Sequence, residues 1–182
     1  MPISTLFTVH LDGLNLESIW LEVKFNNEPI IIGGLYRHPI NNIPVFTNYL
    51  EEIMNNSNLK NKTIIISGDL NIDFCKYDKQ RDISNYLDMI LLNGFKPLIL
   101  SPTRITQTSS TLIDHIYVRI ADKSQVSFRN MTVGNILTDI SDHFANFLFV
   151  DFNTNDNFEE TPEHNKDLFT RIFSNTNINK FR

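Results

Sequence analysis

Three consecutive isoleucines, Ile64-Ile65-Ile66, lie inside residues 62–70, which read Lys-Thr-Ile-Ile-Ile-Ser-Gly-Asp-Leu. β-Branched residues favour extended backbone, and successive side chains of a strand point to opposite faces. Three apolar neighbours therefore need cover on both faces, which is the condition of a central strand in a layered α/β fold. The flanking segments agree. In residues 17–25, Ile19, Leu21, Val23 and Phe25 alternate with Ser18, Trp20, Glu22 and Lys24, a strand period. Residues 26–29 read as a turn and residues 30–36 as a second strand, so the pair is expected to form a hairpin. Asn42 supplies an N-cap and Pro44 an early-helix proline, and Phe46, Leu50 and Ile53, with Tyr49 beside them, then recur at helical spacing to about Asn58.

A second helix is expected after the isoleucine strand, capped by Asp82 or Ser84, with Ile83, Leu87, Ile90 and Leu91 on one face and Gly94 at its left-handed C-terminal position. Short strands are expected at 96–100, 111–119, 125–133 and 144–152. The order is strand, helix, strand, helix and then mostly β, with no internal repeat. From Asp151 the chain turns polar and acidic and reads as a solvated linker, with a short helix at 166–173. The expected division is a domain at 1–150 and a linker with a connector stub at 151–182.

Hydrophobic residues make up 41% of the 182, enough for a core. Residues 1–150 carry 12 basic and 15 acidic side chains. That balance excludes a nucleic-acid binder working by bulk charge neutralisation, so a phosphate-bearing substrate must be held by a local site or a metal ion. No apolar run is long enough to span a bilayer, and the first residues show no secretory signal. The single cysteine, Cys75, forms no internal disulfide, and no Cys/His cluster has zinc spacing, which together fit a reducing compartment.

Four polar clusters fall at expected strand ends, where α/β sheets commonly place functional groups. They are Tyr36-Arg37-His38-Pro39, Gly68-Asp69-Leu70-Asn71, Thr111-Leu112-Ile113-Asp114-His115-Ile116 and Ser141-Asp142-His143. Each has an ordinary reading: Asp-x-Asn is a common Asx turn, and Ser-Asp-His is a common cap or loop. Asp114 is more informative, because a carboxylate inside an apolar strand pattern needs a partner. A structural salt bridge is the plain alternative.

As an ordered set, these clusters resemble the endonuclease/exonuclease/phosphatase superfamily, and more narrowly the endonuclease domain of non-LTR retrotransposons. The phrases that carry the resemblance are Gly33-Gly34-Leu35-Tyr36-Arg37-His38-Pro39, Gly68-Asp69-Leu70-Asn71-Ile72-Asp73, Asn93-Gly94-Phe95, Pro102-Thr103-Arg104-Ile105-Thr106, Ser110-Thr111-Leu112-Ile113-Asp114-His115-Ile116 and Asp139-Ile140-Ser141-Asp142-His143-Phe144. They span roughly residues 14–150. The resemblance implies a four-layer, DNase I-like α/β sandwich that hydrolyses a phosphodiester of DNA with Mg²⁺ or Mn²⁺. It implies that Asp69 positions or deprotonates the attacking water and that Asn71 orients that constellation. His143 would stabilise charge on a non-bridging phosphate oxygen, with Asp114 holding its imidazole in the working tautomer. Tyr36 would approach the phosphate, Arg37 and Arg104 would contact the DNA backbone, and Asp142 and Asp69 would lie at the metal. These residues are expected to converge at one edge of the sheets. The enzyme would act inside the cell, in the nucleus.

One departure stands out. Relatives of this type begin with strand–helix–strand segments that carry an asparagine and then a metal-binding glutamate, and nothing before Tyr36 resembles either motif. Glu17, Glu22 and Glu28 lie in or beside the hairpin and are not assigned that role; His38 receives no catalytic role either. The expected picture is a partial sandwich lacking its N-terminal strands, as in a truncated element copy or a partial gene. Metal binding would be weakened, and DNA cutting poor or absent. The other classes open to the chain are an inactive remnant or phosphate-binding module, and a phosphatase acting on small or lipid phosphates. The expected partners are DNA and either a missing N-terminal segment or the reverse transcriptase domain of a longer polyprotein, with no membrane.

Overall fold

The computed structural model describes residues 3–11, 16–25, 28–57, 59–122, 124, 126, 131–138 and 140–151, with backbone alone for 3–11 and Phe25. The expected helix at 166–173, the linker beyond Asp151 and most of 125–130 lie outside the described residues. Three antiparallel strands open the chain: β1 (Ile3–Leu11), β2 (Leu16–Phe25) and β3 (Glu28–Arg37). Helix α1 (Ile43–Met54) then carries the chain back, so that β4 (Thr63–Asp69) lies parallel to β3. After helix α2 (Arg81–Leu92) come the two-residue β5 (Lys96–Pro97) and a small hairpin of β6 (Arg104–Ile105) and β7 (Ser110–Thr111). Strand β8 (Asp114–Arg119) returns antiparallel beside β4. The main sheet has the order β1-β2-β3-β4-β8-β5, and β9 (Met131–Ile136) with β10 (Ala145–Val150) forms a separate two-stranded sheet.

The isoleucine strand β4 is interior to the sheet, and its side chains divide as strand geometry requires. Ile64 and Ile66 are fully buried in the core shared with the helices, beside Trp20, Ile31, Leu35, Phe46, Leu50, Tyr86 and Tyr117. Ile65 points the other way and packs with Ile116, Val118 and Ile99 towards Met131, Val133 and Leu148 of the second sheet. Each fully buried isoleucine, Ile64 and Ile66, is worth about 1.5–3 kcal/mol of transfer free energy, and the partly buried Ile65 adds less from the other face. Three layers thus stand among the described residues: helices, the six-stranded sheet and the β9–β10 sheet.

Several local expectations change. The first helix ends at Met54, capped by Asn55, four residues short of Asn58, while Asn42 accepts from Val45 N–H as the N-cap. The second helix starts one residue before Asp82, behind Gln80, which makes no side-chain cap bond; neither Asp82 nor Ser84 caps it. Its buried face is Ile83, Tyr86, Met89 and Ile90, and Leu91 is left exposed. The strand expected at 96–100 pairs over two residues, the one expected at 111–119 starts at Asp114, and the one expected at 125–133 is registered at Met131–Ile136.

Candidate active site

Residues of odd number in β4 and of even number in β3 and β8 share the sheet face away from the helices, because Ile65, Ile116 and Val118 lie on that face. Asp69, Tyr36 and Asp114 are on it too. Asp69 and Asp114 are register partners across β4 and β8. The parallel pairing of Gly34 with Ser67 sets Tyr36 level with Asp69, and Glu17 is the register partner of Tyr36. Four strand positions therefore form one row at the end of the sheet where β4 delivers its polar residues.

His143 reaches this row from the segment that precedes β10. Its Nδ1 lies 3.0 Å from Oδ2 and 3.1 Å from Oδ1 of Asp114. A carboxylate only accepts, so Nδ1 carries the proton and Nε2 is left to face a substrate. The partner that Asp114 needs is His143, and the plain alternative, a structural salt bridge, takes the form of this same Asp–His pair when the imidazole is protonated. Asp69 is half-buried, and burial raises its pKa, with the charge of Asp114 acting the same way; a hydrogen bond from Asn71 N–H opposes them. That bond spans 3.0 Å to Oδ1 of Asp69, so the Asx turn exists alongside the functional arrangement. Asn71 sits at φ +51°, a left-handed conformation that asparagine tolerates.

Two arginines expected at the DNA backbone have different fates. Arg37 is 1% exposed, and its guanidinium donates to backbone carbonyls of Leu70, Asn71, His38 and Asn41. Four of its five donors are thus used on backbone carbonyls, and the sheet buries it because position 37 points to the helix side. Arg104 stays partly exposed and donates through Nε to Asp142 Oδ2 at 2.7 Å. That bond holds the Asp142 carboxyl below the usual carboxylate range. Asp142, expected at the metal, is paired here with Arg104. Tyr36 is exposed on the row. Glu22 pairs with Lys62 at 2.8 Å, and Glu28 bonds Ser124, both near the opposite end of the hairpin.

Thr103 received no role from the sequence, yet it builds the site. It is fully buried, its Oγ1 accepts from Ile113 N–H at 3.2 Å and Asp114 N–H at 3.0 Å, and its carbonyl accepts from Phe144 N–H at 2.7 Å. It thus ties Asp114 to the segment bearing His143, and the Pro102-Thr103-Arg104 phrase was its one trace in the sequence. His115 goes the other way. It turns into the core, stacks on Tyr117 and bonds the Ile72 carbonyl through Nε2, and burial lowers its pKa to about 4.

No protein-family profile and no curated protein matches the sequence. Solved structures do match. The endonuclease domain of TRAS1, a telomere-specific non-LTR retrotransposon, superposes with a TM-score of 0.59 at 13% identity, over 80% of this chain and 67% of that one. D. rerio TDP2 complexed with a single-strand DNA product gives 0.54 at 14% identity, over 78% and 66%. The inositol polyphosphate 5-phosphatase domain of SPsynaptojanin, bound to inositol (1,4)-bisphosphate and a calcium ion, gives 0.51 at 13% identity, over 82% and 56%. The chain has the endonuclease/exonuclease/phosphatase fold. It spans about two thirds or less of the length of these endonuclease/exonuclease/phosphatase structures.

Within this fold the donor set can be tested for a metal. Among the described residues, Asp69, Asp114 and His143 each bring one ligand atom within 4.8 Å of the others. Two half-buried carboxylates face each other here, and no lysine or arginine forms an ion pair with either among the described residues. Hard divalent cations take oxygen ligands and relieve such a charge pair, so the residues fit one. Asp69 would hold such an ion, since Asp114 is engaged with His143. Asp142 is paired with Arg104 through Oδ2 and lies outside this group.

Proposed function

We propose that this site hydrolyses phosphodiesters of DNA, in the manner of a retrotransposon-type endonuclease, with low activity in the chain as it stands. The observation that supports this most is the Asp114–His143 pair set across the β4–β8 register from Asp69. An Asp–His pair orients an imidazole towards a negatively charged group, while a carboxylate whose pKa is raised by burial is suited to take a proton from water. In this reading Asp69 positions and deprotonates the attacking water, and the Nε2 of His143 stabilises a non-bridging oxygen. Asn71 orients Asp69, Tyr36 approaches the phosphate, and Arg104 meets the backbone when it leaves Asp142. Mg²⁺ or Mn²⁺ held by Asp69, with Asp142, would supply neutralisation of the phosphate charge. The ordered phrases of the sequence and the likeness to the TRAS1 domain favour DNA, as does the DNA bound to TDP2. The SPsynaptojanin likeness supports a second reading, a phosphatase on inositol-type phosphates.

No helix among the described residues is long and apolar enough to cross a membrane. Beside DNA, the partners we propose are an N-terminal glutamate-bearing segment or the reverse transcriptase domain of a longer polyprotein. The test is nicking of supercoiled plasmid with protein in excess, with Mg²⁺ or Mn²⁺ or EDTA. Slow metal-dependent nicking that disappears in His143→Ala and Asp69→Ala is expected. Nicking unaffected by both substitutions would overturn the site assignment. Release of phosphate from inositol phosphates with intact plasmid would select the phosphatase, and phosphate binding without any turnover the binding module.

A further inference from the structure

We propose that Arg37 is the positioning residue of this site: it locks the turn bearing Asp69 and Asn71 to the loop that leaves β3, and so fixes where Asp69 stands. The guanidinium carries five donors in a rigid plane. Its Nε donates to the Leu70 carbonyl at 2.6 Å and one terminal nitrogen to the Asn71 carbonyl at 2.7 Å. The other terminal nitrogen donates to the carbonyls of His38, at 3.3 Å, and Asn41. Asn71 answers with its side chain, Nδ2 donating to the Arg37 carbonyl at 2.9 Å. The next link is Asn71 N–H to Oδ1 of Asp69. One side chain thus holds both loops, and the last bond of the chain it starts ends on Asp69.

The placement is costly for a purely structural clamp. A cation 1% exposed with only backbone carbonyls as hydrogen-bond partners gives up its hydration without a carboxylate bonded to it. Apolar residues of similar volume would fill the space at lower cost, but they would release Leu70 and Asn71. Asn71 adopts its left-handed φ of +51° readily, and the bonds to its carbonyl and from its side chain select that conformation over the others open to it. Lysine cannot substitute, because its three donors radiate from a single nitrogen and do not reach the four carbonyls that the three nitrogens of the planar fork span.

The inference rests on the hydrolytic reading for its kinetic arm and is independent of it in its structural arm. In the kinetic arm, Arg37→Lys is expected to lower the single-turnover nicking rate on the order of 10²-fold, as a misplaced reacting group does. The half-saturating DNA concentration should stay within a factor of about two, since no DNA contact is lost. Methylguanidinium should restore part of the rate to Arg37→Ala. A weakened DNA affinity with the saturated rate kept would make Arg37 a DNA ligand and overturn the proposal, as would an unchanged rate. The structural arm uses NMR and needs no turnover. In the wild-type chain the Arg37 Nε–H should exchange slowly with solvent, and in Arg37→Lys the shifts of the Asn71 side-chain amide and the Asp69 carboxyl should move while those of the helix-side core stay. A rapidly exchanging Arg37 Nε–H in the wild type would overturn the clamp whether or not the variants fold. A chain that nicks nothing but shows the protected Nε–H and the shifted Asn71 refutes the hydrolytic reading and keeps the clamp.

Discussion

The carboxylate of Asp69 accepts one hydrogen bond from Asn71 N–H, faces Asp114 across the ladder and is withdrawn from water. Its pKa is raised first by burial and then by the Asp114 charge, so the folded chain holds this proton more tightly than the unfolded chain does. Stability then falls as pH climbs from the ordinary value of 3.8 through the raised folded value. At neutral pH an ionised Asp69 destabilises the fold, which is a familiar trade between stability and function. Asp69→Asn in EDTA is therefore expected to raise the Tm at pH 7, with the gain shrinking towards zero below the ordinary carboxylate value. Calorimetry across pH 3–7 checks it, and a lower Tm for the variant at pH 7 would contradict the sign. Asp114→Asn should leave the fold intact and reduce nicking about 10²–10⁴-fold, since an amide offers Nδ1 of His143 no obligatory acceptor. Asp114 was legible because it interrupts an apolar strand pattern, whereas Asp69, Asp142 and His143 read alone as turn or cap residues and stood out only through the ordered resemblance. The difference between Arg37 and Arg104 was not legible. Both follow strand-like or loop-like phrases, and only the alternation of β3, which turns position 37 to the helix side, separates a buried clamp from an exposed cation.

At the scale of elements, the reading succeeded where one pattern dominated. The isoleucine strand, the β2–β3 hairpin and the Asn42-capped helix follow from period and capping alone. β1 did not, because Leu6 breaks the alternation of residues 3–11, and the sheet absorbs it as a register shift between Thr5 and Phe7. In α2 the apolar count favoured Leu87 and Leu91, while packing against Phe46, Phe74 and Tyr117 selected Tyr86. The end of β4 shows why its residues are so particular. A Cβ on Gly68 would lie 1.7 Å from the Leu35 carbonyl oxygen, which is backbone and cannot swing aside. Gly68 therefore lets β3 and β4 approach just before Tyr36 and Asp69. Gly68→Ala is expected to cost about 2–4 kcal/mol. For a unit of this size that lowers the Tm by roughly 5–15 °C. It should also reduce nicking, because the Asp69 row shifts. Denaturant melts of the variant check the first number, and a midpoint within error of wild type would mean that the strands part without cost.

The whole molecule carries a net charge of −5, and its site row is acidic, so nothing in its overall field draws in DNA or phosphate. Attraction has to come from the site itself, and two facing carboxylates whose neighbours include one histidine are a place where a divalent cation changes the local sign. Such an ion binds the folded chain alone, because Asp69 and Asp114 are 45 positions apart in sequence and meet only through the β4–β8 register. Folding and metal binding are therefore linked. At a free ion concentration ten times the dissociation constant, one site stabilises the fold by about 1.4 kcal/mol. That corresponds to a rise in Tm of roughly 3–6 °C for a unit of this length. Titration with Mn²⁺ at constant ionic strength should show a saturating rise of this order, reversed by EDTA. Asp69→Asn should abolish it. Arg104→Ala should shift the titration to lower Mn²⁺, because Asp142 then has no guanidinium to exchange for the ion. A rise that is equal in wild type and Asp69→Asn would be surface charge screening and would remove the metal from this site.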